Sequence, residues 1–413
     1  MNIDVQRRID RWLGIPLCAA VSALEAAFGK AGGAAAAEQA PRAIVVILLS
    51  EMGSLVLAHD MFARIRQRYP HAQLHALLFG KNREILDLLG VVRAENVHTV
   101  DDRSATALLS SLWRAVKALR QANVDVAIDC ELFSRISSLL SYASGAAVRV
   151  GFHRHTQEGL YRGSHINRRV PYNPYQHISA QFLALARAID SKAVPKSKLP
   201  MALSGKPPPQ VQLDPQLMAA VARRLVNDFP EIAGRPLVLV YPGGGILPIR
   251  AWPLASYAAL CDGLVADGCA VAVIGLKDDT ALAQELVSRV KAGAPSSQVI
   301  DLTGYTRSIA ELLALFHVAQ LLVTNDGGPG QFAALTPIWT LMLFGPETPA
   351  LYAPLTPRCH SFYSQWPCSP CLTAYNHRSS YCDGDNQCLK VIAPEAVLAK
   401  SRECLAQSLA SAR

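Results

Sequence analysis

Leu237-Val238-Leu239-Val240-Tyr241-Pro242-Gly243-Gly244-Gly245, followed by Arg250-Ala251-Trp252-Pro253, is built like Leu321-Leu322-Val323-Thr324-Asn325-Asp326-Gly327-Gly328-Pro329-Gly330-Gln331. Each is a continuous apolar run, suited to a strand covered on both faces, that passes straight into glycines and then a helical pattern. In an open parallel sheet, ligands sit beyond the carboxyl ends of the strands, where loops turn into helices. Glycine lets the backbone approach a ligand, and amides at a helix start attract phosphate. Two such turns in one half-chain point to a site for an anionic, nucleotide-containing molecule.

Working outward, the second half alternates strand and helix. Strands are predicted at Leu237–Tyr241, Ala270–Ile274, Val299–Leu302, Leu321–Thr324 and Ile338–Phe344, with helices between. The first half has the same rhythm, with strands at Ala43–Leu49, Leu74–Phe79, Val97–Val100, Val124–Asp129 and Ala147–Gly151. Leu55, Ala58, Phe62, Ile65 and Tyr69 recur at helical spacing after the first strand, and Pro70 closes that helix. Lys196–Pro209, rich in proline and lysine, reads as the connection between the halves. The expected architecture is α/β, two doubly wound Rossmann-like domains facing a cleft. The expected divisions are an N-terminal helix and linker over 1–40, a first domain over 41–205, and a second over 206–413 that carries a cysteine-rich segment at 359–388.

Composition agrees. At 413 residues the chain exceeds one ordinary core. With 51% hydrophobic and 17% charged residues it is a buried globular protein, not a disordered one. A net charge of +8 favours acidic partners such as phosphates or anionic lipid surfaces. No interleaving of aromatic and basic residues and no DNA-binding motif is present, so nucleic acid is not an expected partner. Near the start, Arg7, Arg8 and Arg11 precede an apolar run from Trp12 to Phe28 that is interrupted by Pro16 and Glu25. It falls short of the ~20 residues of a membrane span. It reads as an interfacial helix on an anionic membrane surface, a helix packed on the protein itself, or a weak signal peptide. Gly29–Pro41 then reads as a linker.

Further candidates lie on the strand ends. Ser50-Glu51-Met52-Gly53-Ser54 joins the first strand to the first helix, where Glu51 can act as a general base or simply cap the helix. Arg250 offers a planar fork of donors for phosphate oxygens, or is a solvated arginine on a flexible turn. Asp326 can accept from sugar hydroxyls while the amides after it face phosphate, or it can be an N-cap. Glu347, in Phe344-Gly345-Pro346-Glu347-Thr348, can hydrogen-bond a ribose or sugar hydroxyl, or the stretch is a plain turn. The stretch from Gly151-Phe152-His153-Arg154 to His177 is either a receptor for an anionic acceptor or a polar surface loop. Cys368, Cys371, Cys382 and Cys388, with His377 between the pairs, have the makings of a thiolate metal site. Reduced structural cysteines or disulfides are the alternatives.

Taken jointly, these residues resemble the ADP-heptose:lipopolysaccharide heptosyltransferase family, glycosyltransferase family 9. The family pattern is strand–Ser-x-x-Gly-Asp–helix, (His/Tyr)-Pro-Gly with a basic residue before Trp-Pro, Asn-Asp-(Thr/Ser)-Gly-Pro-x-His, and Phe-Gly-Pro-(Thr/Glu). The chain carries Tyr241-Pro242-Gly243, Arg250 before Trp252-Pro253, Asn325-Asp326 with Gly328-Pro329, and Phe344-Gly345-Pro346. The resemblance implies a GT-B fold and inverting transfer of a sugar, heptose from ADP-heptose, to a lipopolysaccharide-core or related glycolipid. It places the nucleotide-sugar donor in the second domain, at Gly243, Gly244, Arg250, Asp326, Gly327, Gly328, Gln331 and Glu347, and the acceptor in the first. It implies no cofactor and no metal, and a cytoplasmic protein peripheral to the inner membrane. Three positions depart. Ser54 stands where the family has the Asp expected to be the base, Gln331 replaces the His, and Gly327 replaces Thr or Ser. Serine cannot deprotonate a hydroxyl unaided, so Glu51 in the same turn is the expected base, with Asp60 and His59 behind it. The other readings are a transferase with a different nucleotide sugar, or a sugar-nucleotide-binding protein that has lost catalysis. No Gly-x-Gly-x-x-Gly follows the first strand, which counts against a dinucleotide enzyme.

Overall fold

A computed structural model of the chain describes residues 3–28, 40–49, 51–132, 134–153, 161–194, 196, 203, 207–291, 299–374 and 380–411. The chain divides into two compact units, Met1–Gly205 and Lys206–Arg413. The first holds β1 (Ala43–Ile47), β2 (Gln73–Phe79), β3 (Val97–Val100), β4 (Val126–Asp129), β5 (Val148–His153) and β6 (Arg168–Pro171). These run parallel in the order β3-β2-β1-β4-β5-β6. The second holds β7 (Leu237–Tyr241), β8 (Ala270–Gly275), β9 (Val299–Thr303), β10 (Leu321–Asn325), β11 (Trp339–Phe344) and β12 (Cys359–Tyr363). Its order, β12-β11-β10-β7-β8-β9, is all parallel and repeats the first when counted from β7.

The composition of the central strands explains this. β1, β7 and β10 are buried along their whole length, as strands covered by helices on both faces must be. In the second unit Val238, Val240, Val271, Val323 and Leu341 pack with Trp252 and Tyr257 into one core. In the first, Val45, Ile47 and Ala127 meet Leu119 and Leu140 from the helices. The strand order reverses direction between β1 and β4 in one unit and between β7 and β10 in the other. Such switch points open a crevice at the carboxyl ends of the strands. Ile47 lies beside Asp129, and Tyr241 beside Thr324, so the stretches singled out in the sequence fall at these two places.

The structure differs from expectation in four respects. The first helix is two, Met52–Leu57 and His59–Arg68, because Ala58 flattens to ψ −1 between them. Edge strands β6 and β12 carry Arg168-Arg169 and Cys359-His360-Ser361, without the apolar run that marks central strands. Helices Pro215–Asp228 and Pro394–Ser411 were not anticipated. The N-terminal run is a pair, Ile3–Trp12 and Gly14–Phe28, packed against helix Arg135–Ala143 of the first unit. Of the expected linkers, 29–39 and most of 197–206 lie outside the described residues.

Candidate active site

At the switch point of the second unit, Asn325 ends β10 and is almost fully buried. Its Oδ1 accepts from the Trp252 main-chain N–H at 3.0 Å and from the Tyr257 hydroxyl at 3.1 Å. Its amide donates to the carbonyls of Tyr241, Pro242 and Gly243 at 3.4, 3.1 and 2.9 Å. One side chain thus pins both ends of the loop after β7. Within that loop Gly244 packs against its own return, so that a Cβ there would lie 2.7 Å from Pro248 Cα and 2.8 Å from two main-chain oxygens. Only glycine fits such an approach. Trp252 is a core residue, its indole donating to the Ile392 carbonyl at 3.1 Å and meeting Tyr257 edge-on. Pro253 occupies the N-cap of helix Leu254–Ala266, one position earlier than the favoured first turn.

The pinned loop presents Arg250 to two carboxylates. Its Nη2 lies 2.7 Å from Glu347 Oε1 and its Nε 3.7 Å from Asp326 Oδ2. All three side chains are largely buried, so each charge relies on the others. Arg250, Asp326 and Glu347 come from the loops after β7, β10 and β11, and the fold brings them together. Gly327 and Gly328 follow at the start of the short helix Gly328–Ala333, whose Gly330 passes close over Met342. Gln331 is buried and its amide donates to the Tyr352 carbonyl at 2.7 Å, which ties this helix to the segment after Glu347. Gly243 is buried beneath the Tyr241 ring.

At the switch point of the first unit, Glu51 occupies the N-cap of helix Met52–Leu57 without a side-chain capping bond. Instead Ser54 Oγ donates to Glu51 Oε2 at 2.7 Å. Ser50 lies outside the described residues. His59 and Asp60 sit farther along, 3.8 Å apart, and burial pushes the His59 pKa down against the pull of Asp60. The sequence reading missed Glu131, two residues past β4, whose Oε1 accepts from the Leu49 N–H at 2.6 Å beside the Glu51 turn. It also gave no role to Asp129, the last residue of β4, which is fully buried and paired with Arg162. Burial drives the Asp129 pKa up, and Arg162 and Ser137 pull against it. The run Asp129-Cys130-Glu131 at a strand end was the available signal.

The remaining candidates lie elsewhere in the fold. His153 is hydrogen-bonded to the Gly163 carbonyl, and His177 accepts from Ser179 N–H at the start of helix Ile178–Arg187. Arg154 lies outside the described residues. Cys368 and Cys382 are exposed, Cys371 half-buried and Cys388 buried. Burial first, then the neighbouring Cys371, Cys368 and Cys382, push the Cys388 thiol up to about 11. Among the described residues no three His, Cys, Asp or Glu side chains are arranged to hold a metal ion, and His377 is not among those residues.

The family model "Glycosyltransferase family 9 (heptosyltransferase)" matches residues 112–381. The chain belongs to glycosyltransferase family 9. As a member it is a heptosyltransferase-like glycosyltransferase. It is 25% identical over 320 residues to lipooligosaccharide heptosyltransferase 2 of Haemophilus ducreyi, across 76% of this chain and 86% of that protein. It is 22% identical to lipopolysaccharide heptosyltransferase 2 of Salmonella typhimurium over 88% of this chain and 99% of that one. Among solved structures, E. coli ADP-heptose lps heptosyltransferase II matches with a TM-score of 0.66 and 21% identity. That match covers 88% of this chain and 98% of the other. A family 9 transferase from Veillonella parvula gives 0.67 at 17% identity. The fold is therefore the GT-B type, two parallel doubly wound sheets, as the resemblance implied.

Proposed function

We propose that this family 9 enzyme transfers heptose from ADP-heptose, with inversion, to a lipopolysaccharide-core or related glycolipid acceptor. The observation that carries the reading is the Arg250–Glu347–Asp326 cluster, set on the loops after three neighbouring strands of the second sheet, with Asn325 pinning the Arg250 loop. In this reading the carboxylates of Glu347 and Asp326 accept from donor hydroxyls. Arg250 and the main chain around Gly243, Gly244, Gly327 and Gly328 meet the diphosphate, and Gln331 lines the same helix. In this reading main-chain dipoles carry part of the phosphate. Glu51 takes the proton of the attacking acceptor hydroxyl. The new bond forms at the anomeric carbon as the bond to the diphosphate oxygen breaks, and that oxygen leaves with the electron pair. Ser54, bonded to Glu51, orients the carboxylate where the family has an Asp. The names of the similar heptosyltransferases support the donor and acceptor classes. A lipid-borne acceptor places the reaction at an anionic membrane surface, met through residues 1–28, on the cytoplasmic face of the inner membrane.

Glu51→Gln tests the assignment. Removing a general base lowers kcat by about 10²–10⁴, with the KM for the donor nearly unchanged, and proton NMR of the wild-type product reports the inverted anomer. Unaltered turnover in the variant removes Glu51 from the mechanism. A wild-type protein that binds ADP but transfers nothing supports the lapsed, binding-only reading instead.

A further inference from the structure

The N-terminal helix pair is packed the wrong way round for a surface helix. Helix Gly14–Phe28 turns Gly14, Cys18, Ser22 and Glu25 toward the first unit, a stripe of small and polar residues at helical spacing. A Cβ at Gly14 would lie 2.7 Å from Arg135 Cβ, and Ser22 Oγ accepts from the Ser164 N–H at 2.8 Å. The large apolar residues face away. Trp12 is 75% exposed, Leu13 58%, Leu17 51% and Leu24 52%, with Ile9 and Ile15 beside them. A helix that merely covered its own protein would bury its leucines and show its polar stripe to water.

Charge is sorted in the same sense. Asp10 and Glu25, two of the three acids on these helices, turn inward. Asp10 accepts from the Arg135 and Ile136 main-chain N–H groups at 2.8 and 3.0 Å and pairs with the Arg135 guanidinium at 3.1 Å. Glu25 pairs with Arg149. Arg8 and Arg11 remain exposed on helix Ile3–Trp12. The outward surface therefore combines apolar side chains, a tryptophan and cations, the composition of a helix that lies in the headgroup region of an anionic bilayer. Among the described residues no helix is long and apolar enough to cross one.

The attachment point matters. Asp10 caps the first turn of helix Arg135–Ala143, supplying what its N-cap Ser134 does not. That helix starts just after β4, so Asp10 and the Trp12–Leu13 turn lie at the carboxyl end of the first sheet. Glu51 follows β1 at that same end. We propose that the helix pair is a foot that seats the first unit on an anionic lipid surface, holding the end of the sheet that bears Glu51 at that surface. The docking claim stands on the helix pair alone; its bearing on transfer rests on the glycolipid acceptor proposed above.

The test uses the full chain and vesicles of phosphatidylcholine, with and without phosphatidylglycerol. The wild type sediments with the anionic vesicles. Trp12→Ser/Leu13→Ser/Leu17→Ser lowers the partition coefficient on the order of tenfold or more, with far-UV circular dichroism unchanged because these side chains point outward. Arg8→Gln/Arg11→Gln removes the preference for anionic lipid. In transfer assays the triple variant slows on vesicle-embedded acceptor and keeps its rate on a lipid-free acceptor oligosaccharide. The proposal is overturned by a wild type that stays in the supernatant, or by a triple variant that sediments like it. A lipid-independent dimer that the triple substitution dissociates overturns it too, since a second copy then covers the face. Equal slowing on both acceptors overturns the placement. Absence of transfer by any form counts against the proposed reaction and leaves the sedimentation result standing.

Discussion

Asn325→Ala removes the pin of the donor-side loop, and its cost can be worked from the five hydrogen bonds that the side chain makes. A buried hydrogen bond contributes a net ~1 kcal/mol, and a buried donor left unpaired costs ~1–3 kcal/mol. The longest of the five, 3.4 Å to the Tyr241 carbonyl, adds little, and that carbonyl keeps the Tyr257 hydroxyl at 2.9 Å. The Trp252 N–H is the group stranded. The sum is a loss of about 3–5 kcal/mol, a large share of the ~5–15 kcal/mol that holds a domain folded. Urea unfolding followed by tryptophan emission reads this as a lower midpoint. In enzyme that remains folded at room temperature, a loosened loop carries Arg250 away from Glu347, so the KM for the donor rises. Asn325→Asp sharpens the test, because it keeps the acceptor atom but turns an oxygen toward three carbonyls, and it must be worse than alanine. An Asp variant as stable as the wild type, or an Ala variant that loses under about 1 kcal/mol with unchanged KM, refutes the reasoning.

Arg250→Ala removes the guanidinium paired with buried Asp326 and Glu347, at a cost of about 3–5 kcal/mol. It also lowers ADP affinity at least tenfold by calorimetry; wild-type affinity in this variant would remove Arg250 from the site. Acid weakens the first unit: burial lowers the pKa values of His98 and His165 from 6.5 to about 4. Between those values the unfolded chain binds protons that the folded chain refuses, so stability falls as pH drops from 6.5 toward 4. Urea midpoints at neutral and mildly acid pH report this, and His98→Gln should flatten part of the slope. A native thiol-labelling time course should modify exposed Cys368 and Cys382 first and Cys388 and Cys261 last, the latter raised to about 12 by burial. Four slow cysteines with a stoichiometric ion released on mercurial treatment would instead indicate a thiolate metal site.

What was legible in the sequence was whatever a buried strand writes in apolar residues. β1, β7 and β10 are uninterrupted because both faces are covered, and their ends therefore locate the rim glycines, Arg250, Asp326 and Glu51. Of the four edge strands, β3 and β9 were read from their apolar residues, but β6 and β12 write no such signature. β6 opens on two arginines and β12 on Cys359-His360-Ser361, since one side of each meets no further strand. The function of Asn325 was hidden for another reason. It was quoted as part of a motif, but its five partners lie in a loop some seventy to eighty positions away, from Tyr241 to Tyr257, and no local spacing records them. The direction of the N-terminal helices was equally out of reach. Apolar content suggested burial or lipid, and only packing shows that Cys18 faces in and Leu17 out.

The two units share one strand order and therefore one kind of crevice, yet the residues at the two switch points differ. At β7 and β10 the rim is glycine, with a guanidinium held between two carboxylates, and close backbone approach is enforced at Gly244 by its own loop. Such a rim has main-chain dipoles to offer an anion. At β1 and β4 the rim is carboxylate. Asp129 is bound by Arg162 and Ser137, and Glu131 accepts from the Leu49 N–H. Glu51 accepts from the Ser54 hydroxyl, a neutral donor. In the proposed mechanism a carboxylate of this rim takes the proton of the acceptor hydroxyl. The substitution of Ser for Asp at position 54 then need not end catalysis. In the proposed mechanism the base stands at 51, three positions before Ser54, whose hydroxyl is its hydrogen-bond partner.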